Sequence, residues 1–148
     1  IHREVIEHDP SVVIIPVDVE KKIVLVRQFR YPVDNYIIEA PAGVIEGSES
    51  PEQCAQRELQ EETGYKSEDL VNLGSFWMSP GYCTELMYAF VARNLVHSPL
   101  QPDPDENIEL VRKSHSDVQK LIRTGGIRDA KTIAAMFMLQ DYDQRQTQ

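Results

Sequence analysis

The chain has 148 residues and a formal net charge of −9, and its composition is that of an ordinary globular protein. The length suggests one domain with a sizeable core, spanning residues 1–148. The acidic balance argues against a surface for nucleic-acid phosphates, and no apolar run is long enough to span a membrane.

Ser11 to Val17 (SVVIIPV) reads as a buried strand, with Pro16 pointing to a bulge or an edge. The chain starts at Ile1, not Met, and enters this pattern almost at once, so an N-terminal extension is expected to be missing. Asp18 to Lys21 is a turn, Lys22 to Arg27 a second strand, and Tyr36 to Glu39 a short strand leading into Pro41-Ala42-Gly43. Ser50 is a good N-cap, Pro51 suits the first helical position, Gln53 completes a capping box and Gly64 suits a left-handed stop, so a helix is predicted from Pro51 to Thr63. Cys54 lies in this helix, in a packing role. With Cys83 it forms neither a metal-binding spacing nor a disulfide framework.

Strands are predicted over Leu70–Trp77 and Thr84–Ala92, separated by Ser79-Pro80-Gly81. A Pro- and acid-rich loop, Ser98 to Glu106, precedes a strand from Ile108 to Arg112. A helix near Asp117 to Arg123 is ended by Gly125-Gly126. Asp129 caps a last helix to about Tyr142, with Ile133, Ala134, Phe137 and Met138 as its expected apolar face. Strands mixed with a few helices, without repeats or a linker, imply an α/β fold with a mixed sheet between helical layers.

The helix from Pro51 carries the chemistry. At about 100° per residue, Pro51, Ala55 and Leu59 share a core-facing stripe. Glu62 falls within that stripe, Glu58 beside it and Glu61 on the flank, while Arg57 lies on the far side, one turn before Glu61 and placed for an i, i+4 ion pair. Three carboxylates at this spacing repel one another, crowd the helix end that favours cations, and are costly to leave charged beside an apolar stripe. A divalent cation with oxygen ligands, Mg²⁺ or Mn²⁺, removes all three objections. A solvated acidic face is the bland alternative, but Gly43, Glu49, Arg57 and Gly64 belong to the same spaced pattern.

That pattern is Gly43, five residues, Glu49, seven residues, then Arg57-Glu58-Leu59-Gln60-Glu61-Glu62-Thr63-Gly64-Tyr65. It resembles the signature of the Nudix hydrolases, departing only at Tyr65, where an aliphatic residue is usual. The resemblance implies a Nudix-type α/β/α sandwich. Outside the box, Arg27-Gln28-Phe29-Arg30-Tyr31, Glu39-Ala40-Pro41-Ala42-Gly43, Ser79-Pro80-Gly81 and Asp129-Ala130-Lys131-Thr132 resemble segments of the ADP-ribose pyrophosphatase subgroup. Each has a plainer reading: Arg27 and Arg30 as solvent-facing strand ends, Pro80 as a turn residue. Tyr82 resembles a mark of dinucleoside polyphosphate hydrolases, but the upstream segments favour the first subgroup. Two cysteines exclude the four-Cys zinc site of many NADH-cleaving relatives, and no coenzyme A pattern is present.

The resemblance implies hydrolysis of the ADP-ribose pyrophosphate to AMP and ribose 5-phosphate. Glu58 and Glu62, then Glu61, are the expected metal ligands, joined by the Ala42 carbonyl, with Glu49 in support and Arg57 orienting Glu61. Arg27, Arg30, Glu39, Pro80 and Gly81 are the expected substrate contacts, and Tyr31 or Phe29 could stack on adenine or simply be core. The general base is expected from the acidic loop: Glu106, with Asp105 and Glu109 as alternatives. The subgroup also implies a homodimer and a small-molecule nucleoside diphosphate substrate. With no signal peptide, the cytoplasm is the expected compartment. A GDP-mannose or other sugar-nucleotide pyrophosphatase, a house-cleaning hydrolase of oxidised nucleoside triphosphates, and a non-catalytic ADP-ribose sensor are the competing readings.

Overall fold

The computed structural model describes residues 1–105 and 107–148. In chain order the described elements are β1 (Ser11–Pro16), β2 (Ile23–Arg30), a 3₁₀ turn (Tyr31–Val33), β3 (Asn35–Glu39), β4 (Ala42–Val44), α1 (Pro51–Thr63), β5 (Tyr65–Trp77), β6 (Leu86–His97), β7 (Glu109–Lys113), α2 (His115–Thr124) and α3 (Ala130–Gln146). They form a four-stranded sheet ordered β4-β1-β6-β5 and a three-stranded sheet ordered β3-β2-β7. The first is mixed: β1 runs parallel to β6, while its pairing with β4 and that of β5 with β6 are antiparallel.

β1 is buried on both faces, which is why its sequence is an unbroken apolar run and not an alternation. Val12 and Ile14 join Cys54, Ala55 and Leu59 of α1 and Phe90 and Ala92 of β6. Val13 and Ile15 face the other way, into a core shared with Ile23 and Leu25 of β2, Val118 of α2 and Ala135, Met136 and Leu139 of α3. The four-stranded sheet is thus the middle layer, with α1 on one side and α2, α3 and the second sheet on the other. Pro16 sits where β1 has outrun its partner on one side: β4 pairs only with Ser11 to Val13. The missing N–H therefore removes no ladder bond, and on the β6 side Val17 N still donates to Ala92 O at 2.8 Å.

Strand boundaries depart from the sequence expectation: β6 starts at Leu86, two residues after the expected Thr84, while β2 runs on to Arg30 and the β5–β6 pair is longer at both outer ends. β5 begins at Tyr65, immediately after Gly64, and β6 runs on to His97. The extra residues of β5, Tyr65 to Asp69, have no apolar alternation to announce them. They are held by polar contacts: Ser67 is buried, its hydroxyl donates to Arg93 O at 2.7 Å, and the Gln56 side chain of α1 brackets the Ser67 backbone, accepting from its N at 3.0 Å and donating to its O at 2.6 Å. β4 was likewise not foreseen; three residues leave no period to read. α2 starts two residues earlier than expected, capped by Ser114.

The buried face of α3 is a correction. Thr132, Ala135, Met136 and Leu139 are buried, whereas Phe137 is 72% and Ile133 36% exposed. The segment AKTIAAMFML is apolar almost all round, so periodicity does not select a face. Polar contacts at the N-terminus select it: Thr132 Oγ1 accepts from Ala40 N at 2.8 Å and donates to Asp129. Met138 retains a partial place against the core. No helix among the described residues is long and apolar enough to cross a membrane.

Leu139→Ala is expected to cost about 2–5 kcal/mol of stability, and Phe137→Ser to stay within about 0.5 kcal/mol of the parent, both read by denaturant unfolding. The reverse order would place the buried face where the sequence alone suggested it.

Candidate active site

α1 is fixed at both ends by local chemistry. Ser50 Oγ accepts from Gln53 N at 3.1 Å while Gln53 Oε1 accepts from Ser50 N at 2.8 Å, the reciprocal capping box. Gly64 closes the helix at φ 78° with its N donating to Gln60 O at 3.0 Å. Cys54, Ala55 and Leu59 anchor the middle in the core. The rotation of the helix is thereby set, and it turns Arg57, Glu58 and Glu61 toward the loop that follows β4. The Cys54 thiol lies 3.5 Å from Val44 O, and burial pushes it far above the ordinary thiol range. It packs and does not react.

Arg57 is the hub. Its guanidinium donates to both oxygens of Glu49, at 2.7 and 3.1 Å, to Glu58 Oε1 at 2.7 Å, to Glu61 Oε2 at 3.2 Å and to the Val44 carbonyl at 3.1 Å. The expected i, i+4 pair with Glu61 is present, but Glu49 is the stronger partner. Helical spacing could not reveal it, because Glu49 precedes the N-cap. Arg57 holds the Glu49 carboxyl down at about 2, and Glu49 in turn accepts from Glu46 N at 2.8 Å, closing the loop. Glu61 behaves differently: burial raises its carboxyl, and the nearby anions Asp103 and Glu46 add to this against the pull of Arg57. The acidic loop after β6 thus adds its charge to the field at Glu61. Gln60 ties down its start by donating to Ser98 O at 2.9 Å.

Gly43 has a steric reason. A Cβ built there would overlap the Glu58 carboxylate, so only glycine lets the backbone beside Ala42 meet that side chain. Among the described residues, no three acidic, histidine or cysteine side chains are spaced to share one ion as they stand. The donor set nonetheless fits a hard divalent cation: the carboxylates of Glu58, Glu61 and Glu62 and the backbone carbonyl of Ala42 all offer oxygen, and the Gly43 cradle brings Glu58 against the loop.

The two arginines of the β2 segment part company. Strand period sends Arg30 and Arg27 to opposite faces. Arg30 donates to Glu39 through Nε at 3.0 Å, and it is kept charged first by that hydrogen bond and further by the negative charges of Glu39, Glu62 and Asp129. It thus stands beside the box. Arg27 lies 4.2 Å over the ring of Tyr36 and 3.5 Å from Glu109. Glu39 is fully buried; burial favours its neutral form, but Arg30 and Lys131 outweigh this and hold the carboxyl below its ordinary range. Lys131, at 2.9 Å from Glu39, was not singled out from the sequence, and the only signal for it was its place in the Asp129-Ala130-Lys131-Thr132 segment.

Pro80 and Gly81 form the turn between β5 and β6, where Ser79 O accepts from Tyr82 N and Cys83 N. The N-terminal segment runs along it: Ile6 N donates to Tyr82 O at 2.7 Å and Thr84 N to Ile6 O at 3.0 Å. Tyr31 and Phe29 are exposed, not core. Glu106 lies outside the described residues. A cavity of about 890 Å³, lined by Val19, Lys21, Tyr65, Arg93, Arg112 and His115, opens at the far end of β2 from Arg30, and none of the box carboxylates lines it.

The Nudix domain model matches residues 7–136. The chain is 39% identical over 140 residues to an ADP-ribose pyrophosphatase of Bacillus subtilis (strain 168), covering 93% of this chain and 76% of the relative. It is 34% identical over 148 residues to a GDP-mannose pyrophosphatase of Escherichia coli (strain K12), covering 93% and 77%. The crystal structure of an ADP compounds hydrolase aligns with a TM-score of 0.86 at 28% identity, over 93% of this chain and 74% of the other. With the box helix, its glycine-backed glutamate and the layered fold in agreement with these matches, the chain belongs to the Nudix family.

Proposed function

We propose that this chain hydrolyses the pyrophosphate of ADP-ribose, with Mg²⁺ as the working ion, to give AMP and ribose 5-phosphate. The observation that carries the reading is the cluster around Arg57, in which one cation holds Glu49, Glu58 and Glu61 against a glycine loop. The likeness to an ADP-ribose pyrophosphatase and to an ADP compounds hydrolase supports the choice of substrate. GDP-mannose is the second reading, supported by the relative that carries that name.

Nudix hydrolases generally need a divalent metal. Here Glu58, Glu61, Glu62 and the Ala42 carbonyl would hold it. When bound, such an ion neutralises phosphate oxygens and positions water for attack. Arg57 keeps two of these carboxylates in place, and Glu49 keeps Arg57 in place. Arg30, half-exposed and within the field of Glu62, binds the diphosphate oxygens. A carboxylate of the acidic loop takes the proton of the attacking water: Glu106, with Asp105 and Glu109 as alternatives. Glu109 is less suited, since it is exposed and faces Arg27. Water attacks one phosphorus in line, and the bridging oxygen leaves on the other phosphate. The chain acts as a homodimer, a reading supported by the exposed aromatic rim of Phe29, Tyr31 and Tyr36.

Turnover of ADP-ribose with Mg²⁺, measured beside GDP-mannose, a diadenosine polyphosphate and oxidised dGTP, is expected to be fastest for ADP-ribose and to release AMP. Fastest turnover of another substrate would refute the specificity and leave the metal chemistry. Gly43→Ala drives a Cβ into the buried Glu58 carboxylate and its Cγ and so displaces it from Arg57; it should cost about 1–3 kcal/mol of stability and lower kcat/KM roughly 100-fold in the folded protein. Unchanged kcat/KM in the folded protein would assign Gly43 to folding alone. Glu62→Gln should abolish turnover and leave ADP-ribose binding measurable by calorimetry. If the parent chain also binds without turnover, the protein is a sensor.

A further inference from the structure

The last helix touches the site through a buried charge relay. Glu39 has no exposed surface, and its carboxylate is shared by two cations: Arg30 from β2 donates through Nε to Oε2 at 3.0 Å and through Nη2 to Oε1 at 2.5 Å, and Lys131 from α3 donates to the same Oε1 at 2.9 Å. Lys131 also donates to Asp129 Oδ1 at 3.0 Å. Asp129 in turn accepts from Thr132 N at 3.2 Å, and Thr132 Oγ1 accepts from Ala40 N, two residues before Ala42. The two cations differ in exposure. The Arg30 side chain is 44% exposed and feels the charge of Glu62, whereas that of Lys131 is 12% exposed and faces inward.

We propose that Lys131 is a positioning residue that acts through Glu39 to leave the Arg30 guanidinium available to a diphosphate. A buried carboxylate must keep a cation. With Lys131 in place, Glu39 is neutralised from inside and Arg30 can share its donors with an incoming phosphate oxygen. Without it, Glu39 claims Arg30 alone, and the four-group set changes from neutral to one net negative charge beside the point where a polyanion binds. Asp129 has the opposite effect, drawing Lys131 away from Glu39. The inference rests on the functional reading given above, in which Arg30 contacts the diphosphate.

The test is a set of steady-state measurements on ADP-ribose with Mg²⁺. Lys131→Met should raise KM about tenfold with kcat within about twofold of the parent, the signature of lost ground-state and transition-state binding alike. Lys131→Arg should restore KM to within about threefold. Asp129→Asn keeps a good N-cap residue and should move KM the other way, down about threefold, whereas a purely structural role would impair both variants. In an Arg30→Ala/Glu39→Gln background, where no buried carboxylate is left without a cation, Lys131→Met should have no further effect on KM, because the path runs through Glu39 and Arg30. An equal tenfold effect in that background, a loss of kcat at constant KM, or a rise of KM in Asp129→Asn would overturn the proposal. If the parent binds ADP-ribose without turning it over, the same cycle is read in Kd, and the functional reading fails separately. Absence of both turnover and binding in the parent overturns the two together.

Discussion

Arg57 is the interaction on which the site depends. Glu49, Glu58 and Glu61 lie close enough to repel, and all three are largely withdrawn from water. One planar cation with five donors satisfies them together and has a donor to spare for the Val44 carbonyl. Lysine could offer the charge but not the fan of directions. The arrangement also joins two stretches of chain, the loop after β4 and the helix α1, so that backbone carbonyl and carboxylates face the same volume. The absence of a Cβ at Gly43 is the complementary condition: charge draws Glu58 in, and the missing methyl gives it somewhere to go.

The scaffold under this cluster is β1, buried on both faces and linked to most of what matters. Through Val12 and Ile14 it seats α1, through Val13 and Ile15 it seats α3, and its pairing with Ala42–Val44 fixes the position of β4. The charge network at Glu39 lies on the opposite side from the α1 core, yet it ends two residues from Ala42. The site is therefore held from two layers, one by apolar contact and one by buried ion pairs, and their errors are independent.

Much of this was legible in the sequence where signals are local. The limits of α1 follow from Ser50, Pro51, Gln53 and Gly64, four neighbours in sequence, and the structure places the helix at the same residues. The carboxylate cluster was legible because Glu58, Glu61 and Glu62 repel at their spacing unless a cation joins them, and Arg57 joins Glu58 and Glu61. What could not be read depended on partners distant in sequence. The face of α3 was set by Thr132 reaching Ala40, not by an apolar stripe. The start of β5 was set by Gln56 and Arg93. The Arg57–Glu49 pair crosses a helix cap, where no periodic rule applies. The separation of Arg27 from Arg30 follows from strand period only because β2 runs on to Arg30, three residues beyond the strand that the apolar run predicts.

The two cysteines differ in a way that makes the chain its own optical handle. Cys54 is fully buried beneath Arg57, with its thiol held protonated, while Cys83 is partly accessible in the turn beside Pro80 and Gly81. A thiol reagent at neutral pH therefore sees one site in the folded chain. A dye attached there sits where the N-terminal segment crosses Tyr82 and Thr84, and its signal follows the docking of that segment. The second thiol becomes reactive only when α1 lifts from the loop, so its rate of modification measures how often the carboxylate cluster comes apart. One chain thus carries two clocks, one for the margin of the fold and one for its chemical centre.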